Sequence, residues 1–209
     1  TGTVMVKDID PGNGGGSPQY LTPVGNTLYF KADDGTNGVE LWKSNGTSSG
    51  TVMVKDINSA SGSSSSPSYL TAVGNTLYFK ADDGTNGYEL WKSNGTSSGT
   101  VMVKDINSAS GGSSFPTASY LTAVGNTLYF SATDGTNGVE LWKSDGTSSG
   151  TVMVKDIKSG GSSTPSYLTA VGNTLYFSAN DGTNGVELWS AELTSDGSGV
   201  AVHHGITYS

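Results

Sequence analysis

The sequence predicts an all-β fold, a β-propeller of four-stranded antiparallel blades, and three observations carry that reading. Three sequence blocks recur four times in fixed order along the 209 residues. Each repeat holds four short runs rich in β-branched and aromatic residues, separated by turn chemistry. Such a small sheet needs cover on both faces, and neighbours of its own kind supply that cover.

The blocks fix the order of elements. "GTVMVKDI" begins at Gly2, Gly50, Gly99 and Gly150. "YLTPVGNTLYF" or "YLTAVGNTLYF" begins at Tyr20, Tyr69, Tyr120 and Tyr167, and "DGTNGxELW" begins at Asp34, Asp83, Asp134 and Asp181. In each repeat the runs "SYLTAV", "TLYFKA", "VELWKS" and "TVMVKDI" read as first to fourth strand. The Gly-Asn pair between the first two suits a tight hairpin, because both residues accept positive φ. "DGTNG" is a longer turn between the second and third, and "SNGTSSG" a hairpin between the third and fourth, with Asp145 replacing Asn in the third copy. Apolar alternation is weak in "TLYF" and "TVMV", as expected of strands covered on both faces.

Spacing separates what packs from what loops. The interval from Tyr to Trp never changes (Tyr20 to Trp42, Tyr69 to Trp91, Tyr120 to Trp142, Tyr167 to Trp189), whereas the Ser/Gly connector before each Tyr varies in length. A surface loop tolerates insertion and a packed unit does not. The Tyr-to-Ile block is therefore read as the folded unit and the connector as lying outside it. The chain divides into blade-like units at 10–57, 58–106, 107–157 and 158–206 of one repeat domain, with residues 1–9 as an additional N-terminal strand.

Composition excludes some classes. A net charge of −8 argues against nucleic acid and anionic membranes. No apolar run is long enough to span a bilayer as a helix. Cysteine is absent, so no disulfide or thiol serves the fold. The opening "TGTVMVKDI" lies inside a repeat, without Met or a signal-like segment, as expected of a fragment or processed chain.

The chain resembles the bacterial repeat family named after its ELWxxDGT signature, present here as "ELWKSNGT" twice and "ELWKSDGT" once. The resemblance spans residues 2 to 189. Asn45 and Asn94 stand where the signature has Asp, and the fourth copy reads "ELWSAELTSDGSG". The resemblance implies exported, repeat-rich propeller proteins, hence an extracellular or cell-surface location.

The candidate sites lie on the turns. In a propeller the "DGTNG" turn shares a face with the variable connector, while the other two turns fall on the opposite face. Thr36, Asn37, Thr85, Asn86, Thr136, Asn137, Thr183 and Asn184 would then ring a surface able to bind a protein or cell-surface glycan through several weak contacts. Asp34, Asp83, Asp134 and Asp181 are the candidate calcium ligands, with Asn37, Glu40 and Asp33 in support. Against calcium, Asp33 becomes Asp82, Thr133 and Asn180 in later copies, the spacing is not that of an EF-hand, and Glu40 should point away from the turn. The simpler expectation is that the Asp caps its own turn.

Other repeated residues read as structural. Trp42, Trp91, Trp142 and Trp189 are expected between blades rather than on a sugar, and Tyr29, Tyr78, Tyr129 and Tyr176 likewise. Lys7, Lys55, Lys104 and Lys155 each precede an Asp, a solvated ion pair or an Asp that locks blade to blade. "NGT" at Asn45 and Asn94 matches a glycosylation acceptor but is explained by a turn. His203 and His204 are adjacent and make a poor chelating pair on a strand. The repeats contain no nucleophile–His–acid set. The expectation is thus a non-enzymatic exported binding or structural scaffold, with a multivalent lectin-like module as the alternative and a hydrolase behind both. As to closure, the N-terminal strand would clasp a single-chain ring. Alternatively "SDGSGVAVHHGI" (195–206) supplies the fourth blade's last strand and frees the N-terminus for a strand-sharing or blade-sharing homo-oligomer.

Overall fold

Branched and aromatic side chains fit a pleated, covered surface, and they dominate every strand. The computed structural model describes residues 2–12, 14–109, 111–115, 120–193 and 200–203, with backbone alone at 193 and 200–203. The first blade is β1 (Gln19–Val24), β2 (Thr27–Asp33), β3 (Val39–Ser44) and β4 (Val52–Lys55). The second is β5 (Ser68–Val73), β6 (Thr76–Asp82), β7 (Tyr88–Ser93) and β8 (Val101–Lys104). The third is β9 (Leu121–Val124), β10 (Thr127–Thr133), β11 (Val139–Ser144) and β12 (Val152–Lys155). The fourth is β13 (Ser166–Val171), β14 (Thr174–Asn180), β15 (Val186–Leu193) and β16 (Val200–His203). Each blade is an antiparallel meander in chain order, and the described residues form no helix. The chain gathers into two compact units, one holding the first two blades and the other the last two.

Turn chemistry sets the register. Val24 pairs with Thr27 across a two-residue turn in which Gly25 takes φ 56°, a value that costs Gly little. The same turn recurs in every blade, so Phe30 faces Trp42, Phe79 faces Trp91, Phe130 faces Trp142 and Phe177 faces Trp189. The first strand is less regular than its sequence suggests. A bulge interrupts β1, β5 and β13, and Tyr20, Tyr69 and Tyr167 adopt φ of 55–56° there. The Tyr20 and Tyr69 rings stand 6.4 Å apart.

Cores form between blades within each unit. In the first, Tyr29, Leu41, Val54 and Ile57 pack against Leu70, Leu77 and Phe79. In the second, Tyr129, Leu141 and Ile157 pack against Leu168, Leu175 and Phe177. The four tryptophans are buried as expected, and so are Tyr29, Tyr78 and Tyr129. Tyr176, in the last blade, is exposed instead, because burial at this position depends on the blade that follows.

Three expectations need correction. The connectors are not wholly outside the folded unit: Ser65, Ser114 and Ser163 are fully buried at their ends, just before the first strand. Residues 2–9 pair with no sheet among the described residues, since a strand forms only beside a partner strand. The fourth blade does have a last strand, but β16 pairs with Ser190–Leu193. Elsewhere the last strand lies beside Leu41–Lys43 or its equivalents. The remodelled sequence after Trp189 extends β15 to eight residues and carries its partner outward. His203 lies in β16, and His204 lies outside the described residues.

Candidate functional site

The "DGTNG" turn closes on itself. Asp34 Oδ1 accepts the N–H groups of Thr36 (3.0 Å) and Asn37 (2.8 Å), and its Oδ2 accepts the Asn37 side-chain amide at 2.7 Å. Asp83, Asp134 and Asp181 repeat the set with Asn86, Asn137 and Asn184. Burial pushes the Asp34 carboxyl up, but the hydrogen bonds from Asn37 and Thr36 together outweigh it and hold it below its ordinary range. The same balance lowers Asp83 and Asp134. At half-buried Asp181, the Asn184 and Thr183 N–H groups bring the carboxyl down to about 2.

These contacts weigh on both candidate roles of the turn. The four aspartates proposed as calcium ligands have both oxygens engaged by their own turns, and the described residues hold no group of three His, Cys, Asp or Glu placed for a metal. Each candidate asparagine has its side-chain amide held by that Asp, while Thr36, Thr85, Thr136 and Thr183 remain exposed. Asp34→Ala is therefore expected to destabilise the fold by about 1 kcal/mol, the worth of a lost cap-like contact. Thermal melts should also be indifferent to calcium and to a chelator. A chelator-sensitive melt that calcium restores would reinstate the metal reading.

The glutamate two residues before each Trp carries more structure than its sequence suggests. Glu40, expected to point away from the turn, is 0% exposed and clasps the connector to the next blade. Its Oε1 accepts the Ser65 N–H at 2.8 Å, and its Oε2 accepts the Ile57 N–H at 3.0 Å and the Ser65 hydroxyl at 2.5 Å. Glu140 binds Ile157 and Ser163 in the same way. Burial raises the Glu40 carboxyl above its ordinary value despite these three donors, and the Asp56 charge pushes in the same direction. Asp156 does the same to Glu140. Oδ1 of Asp56, Asp105 and Asp156 is buried with no hydrogen-bond partner.

Sequence reasoning missed this clasp. Its signal was available: a Ser two places before Pro at Ser65, Ser114 and Ser163, constant inside an otherwise variable connector. The connector and the "DGTNG" turn do share a face, as expected. Val39 N–H donates to Ser64 Oγ at 2.9 Å, and a Cβ at Gly38 would lie 2.3 Å from Ser63 O.

The Lys of "VKDI" also has a different role from the one expected. Lys55 Nζ donates to Thr100 O at 2.9 Å and sits 5.7 Å from the Trp91 ring, so it rivets the first blade to the second. Lys155 lies over Trp189 at 5.9 Å. The cation crosses between blades, where an exposed pair with Asp or an Asp lock was anticipated.

No family model matches the chain, and no curated protein does. Solved structures of the same fold do match. A puromycin hydrolase mutant aligns with TM-score 0.53 and 12% identity, covering 85% of this chain and 27% of that one. A puromycin-hydrolyzing peptidase from Mycobacterium tuberculosis aligns with TM-score 0.50 and 14% identity, covering 90% and 28%. TolB from Acinetobacter baumannii aligns with TM-score 0.49 and 14% identity, covering 89% and 42%. The chain is an all-β protein of the β-propeller class, and it spans little more than a quarter of the two hydrolases. This corrects the expectation of a non-enzymatic binding or structural scaffold with a lectin-like alternative. The two structures that define the fold are named as hydrolytic enzymes, so the fold gives no ground for a non-enzymatic assignment.

Proposed function

We propose that the chain is the propeller part of a hydrolase acting on amide bonds of peptide-like substrates, with the bond-breaking residues outside these repeats. The observation that carries this reading is the state of the repeat carboxylates. Asp34 and Glu40 spend both oxygens on hydrogen bonds within the blades. A general acid or base instead needs an oxygen free to meet its substrate. Near-identical blades also give their acids similar surroundings, whereas acid–base chemistry needs them different. The amide-bond substrate class rests on the names of the two structures that share the fold. The "ELWKSNGT" signature supports kinship with the exported ELWxxDGT-repeat proteins, and we place the assembly outside the cell on that ground.

The test compares puromycin and a fluorogenic peptide amide as substrates for residues 1–209 alone and for the gene product that contains them. Hydrolysis is expected from the gene product only. Cleavage by residues 1–209 alone would move the chemistry into the blades, and inactivity of the gene product would remove the hydrolase.

A further inference from the structure

Residues 40–58 and 89–107 are identical in sequence, and the fold gives them different surroundings. Each holds an Asn-Gly pair in the hairpin between the third and fourth strands, Asn45-Gly46 and Asn94-Gly95. Asn45 Oδ1 accepts the Thr47 N–H at 3.1 Å and the Thr47 hydroxyl at 2.7 Å. Asn94 Oδ1 takes the same two donors from Thr96. Such a turn folds the carboxamide back over the peptide that follows it. It also sets two donors on the oxygen that becomes negative when a nucleophile adds to Cγ. Both asparagines are exposed.

The glycines separate the two sites. Gly46 is exposed, and a Cβ placed on it would meet nothing within 4 Å. Gly95 is buried, because the first blade clamps the second blade's hairpin. The Tyr29 hydroxyl stands against Gly95, and Lys43 Nζ donates to the Gly95 carbonyl at 2.8 Å. The glycine N–H donates to a serine hydroxyl at 3.0 Å in both hairpins, so that bond does not distinguish them.

The Asn-Gly pairs of the "DGTNG" turns are guarded in another way. The side-chain amides of Asn37, Asn86, Asn137 and Asn184 each donate to the carboxylate of their own turn. The nitrogen that would have to leave is held, and a carboxylate stands close to the carbonyl on which negative charge would build.

We propose that Asn45 is a self-modifying site, which deamidates through Gly46 in the folded chain while Asn94 is held back. The Gly46 nitrogen gives its proton to hydroxide from solvent and attacks Asn45 Cγ. The new N–C bond closes a succinimide ring as the Cγ–Nδ2 bond breaks, and Nδ2 leaves as ammonia with a proton from water. Water then opens the ring and leaves Asp or isoaspartate at position 45. The Asp product fits the turn, since Asp145 in the third copy already accepts the Thr147 N–H at 2.8 Å and its hydroxyl at 2.7 Å. The first hairpin thereby gains an exposed carboxylate and the Asp-Gly-Thr sequence of the third. This inference is independent of the hydrolytic role.

The test incubates folded residues 1–209 in mildly alkaline buffer and maps the products by mass spectrometry. Digestion must be Glu-specific, because trypsin releases the same peptide from both sites. Conversion at Asn45 should exceed that at Asn94 by about tenfold, a barrier difference of roughly 1.4 kcal/mol. In urea the two should convert equally, since their flanking sequences are the same. Lys43→Ala should raise the Asn94 rate, and Asn45→Asp should melt with the parent. Equal rates at Asn45 and Asn94 in the folded chain would overturn the proposal, as would an Asn45 that converts only in urea. An Asn94 rate unmoved by Lys43→Ala would overturn the clamp that separates the two sites.

Discussion

Glu40→Ala is expected to lower the unfolding free energy by roughly 3–5 kcal/mol, the range for removing one partner from a buried charged network. The loss leaves the Ile57 N–H, the Ser65 N–H and the Ser65 hydroxyl without their acceptor, and each buried orphan costs about 1–3 kcal/mol before relaxation. Glu40→Gln keeps one carbonyl acceptor and should cost less. Urea unfolding of both variants checks the order, and an alanine variant within 1 kcal/mol of the parent would remove the clasp from the account of stability.

The same residue sets a pH dependence whose sign can be worked out. A carboxyl raised in the folded state adds stability below its unfolded pKa and loses that contribution as pH rises through the folded value. For Glu40 and Glu140 the loss begins near their ordinary value of 4.5 and runs upward. Asp34, Asp83, Asp134 and Asp181 act oppositely, because their folded values are lowered. Their contribution is present above 3.8 and disappears as pH falls below it. From these groups, stability should fall on both sides of the interval between pH 3.8 and 4.5. Melts of Glu40→Gln should show a shallower decline from pH 4.5 to 7.5 than the parent, and equal slopes would refute the assignment.

The second large effect is a contrast between two copies of one residue. Leu41→Ala should cost about 2–5 kcal/mol, because it opens a cavity among Val54, Ile57, Leu77 and Phe79. Leu188→Ala, at the same place in an almost identical "ELW" stretch, should change stability by less than about 0.5 kcal/mol. Leu41 is 0% exposed and Leu188 67% exposed. Denaturant melts of the two variants decide it. Equal losses would mean that Leu188 is covered in solution, and dilution of the parent would then show whether a second copy provides the cover.

The elements were legible because their signals are local. A Gly-Asn pair makes a two-residue turn wherever it falls between such strands, and an Asp followed by Gly-Thr-Asn-Gly can bind its own backbone without help from elsewhere. Strand order, the interblade tryptophans and the self-capped aspartates followed from those facts. The glutamate clasp was not legible in the same way, since Glu40 and Ser65 are 25 residues apart and meet only when a connector folds back. The first-strand bulge escaped notice for a related reason. A positive φ at Tyr20, Tyr69 and Tyr167 runs against the residue's preference and is imposed by the pairing around it.

The sequence by itself determined what repeats: the strands, the turns and the four-stranded meander, all set by short-range chemistry written four times. Tertiary structure alone decided what each copy became. Leu41 and Leu188, Glu40 and Glu187, Tyr129 and Tyr176 are matched residues with opposite exposure. Burial is a property of the blade next door, and identical letters carry no record of whether that neighbour is present.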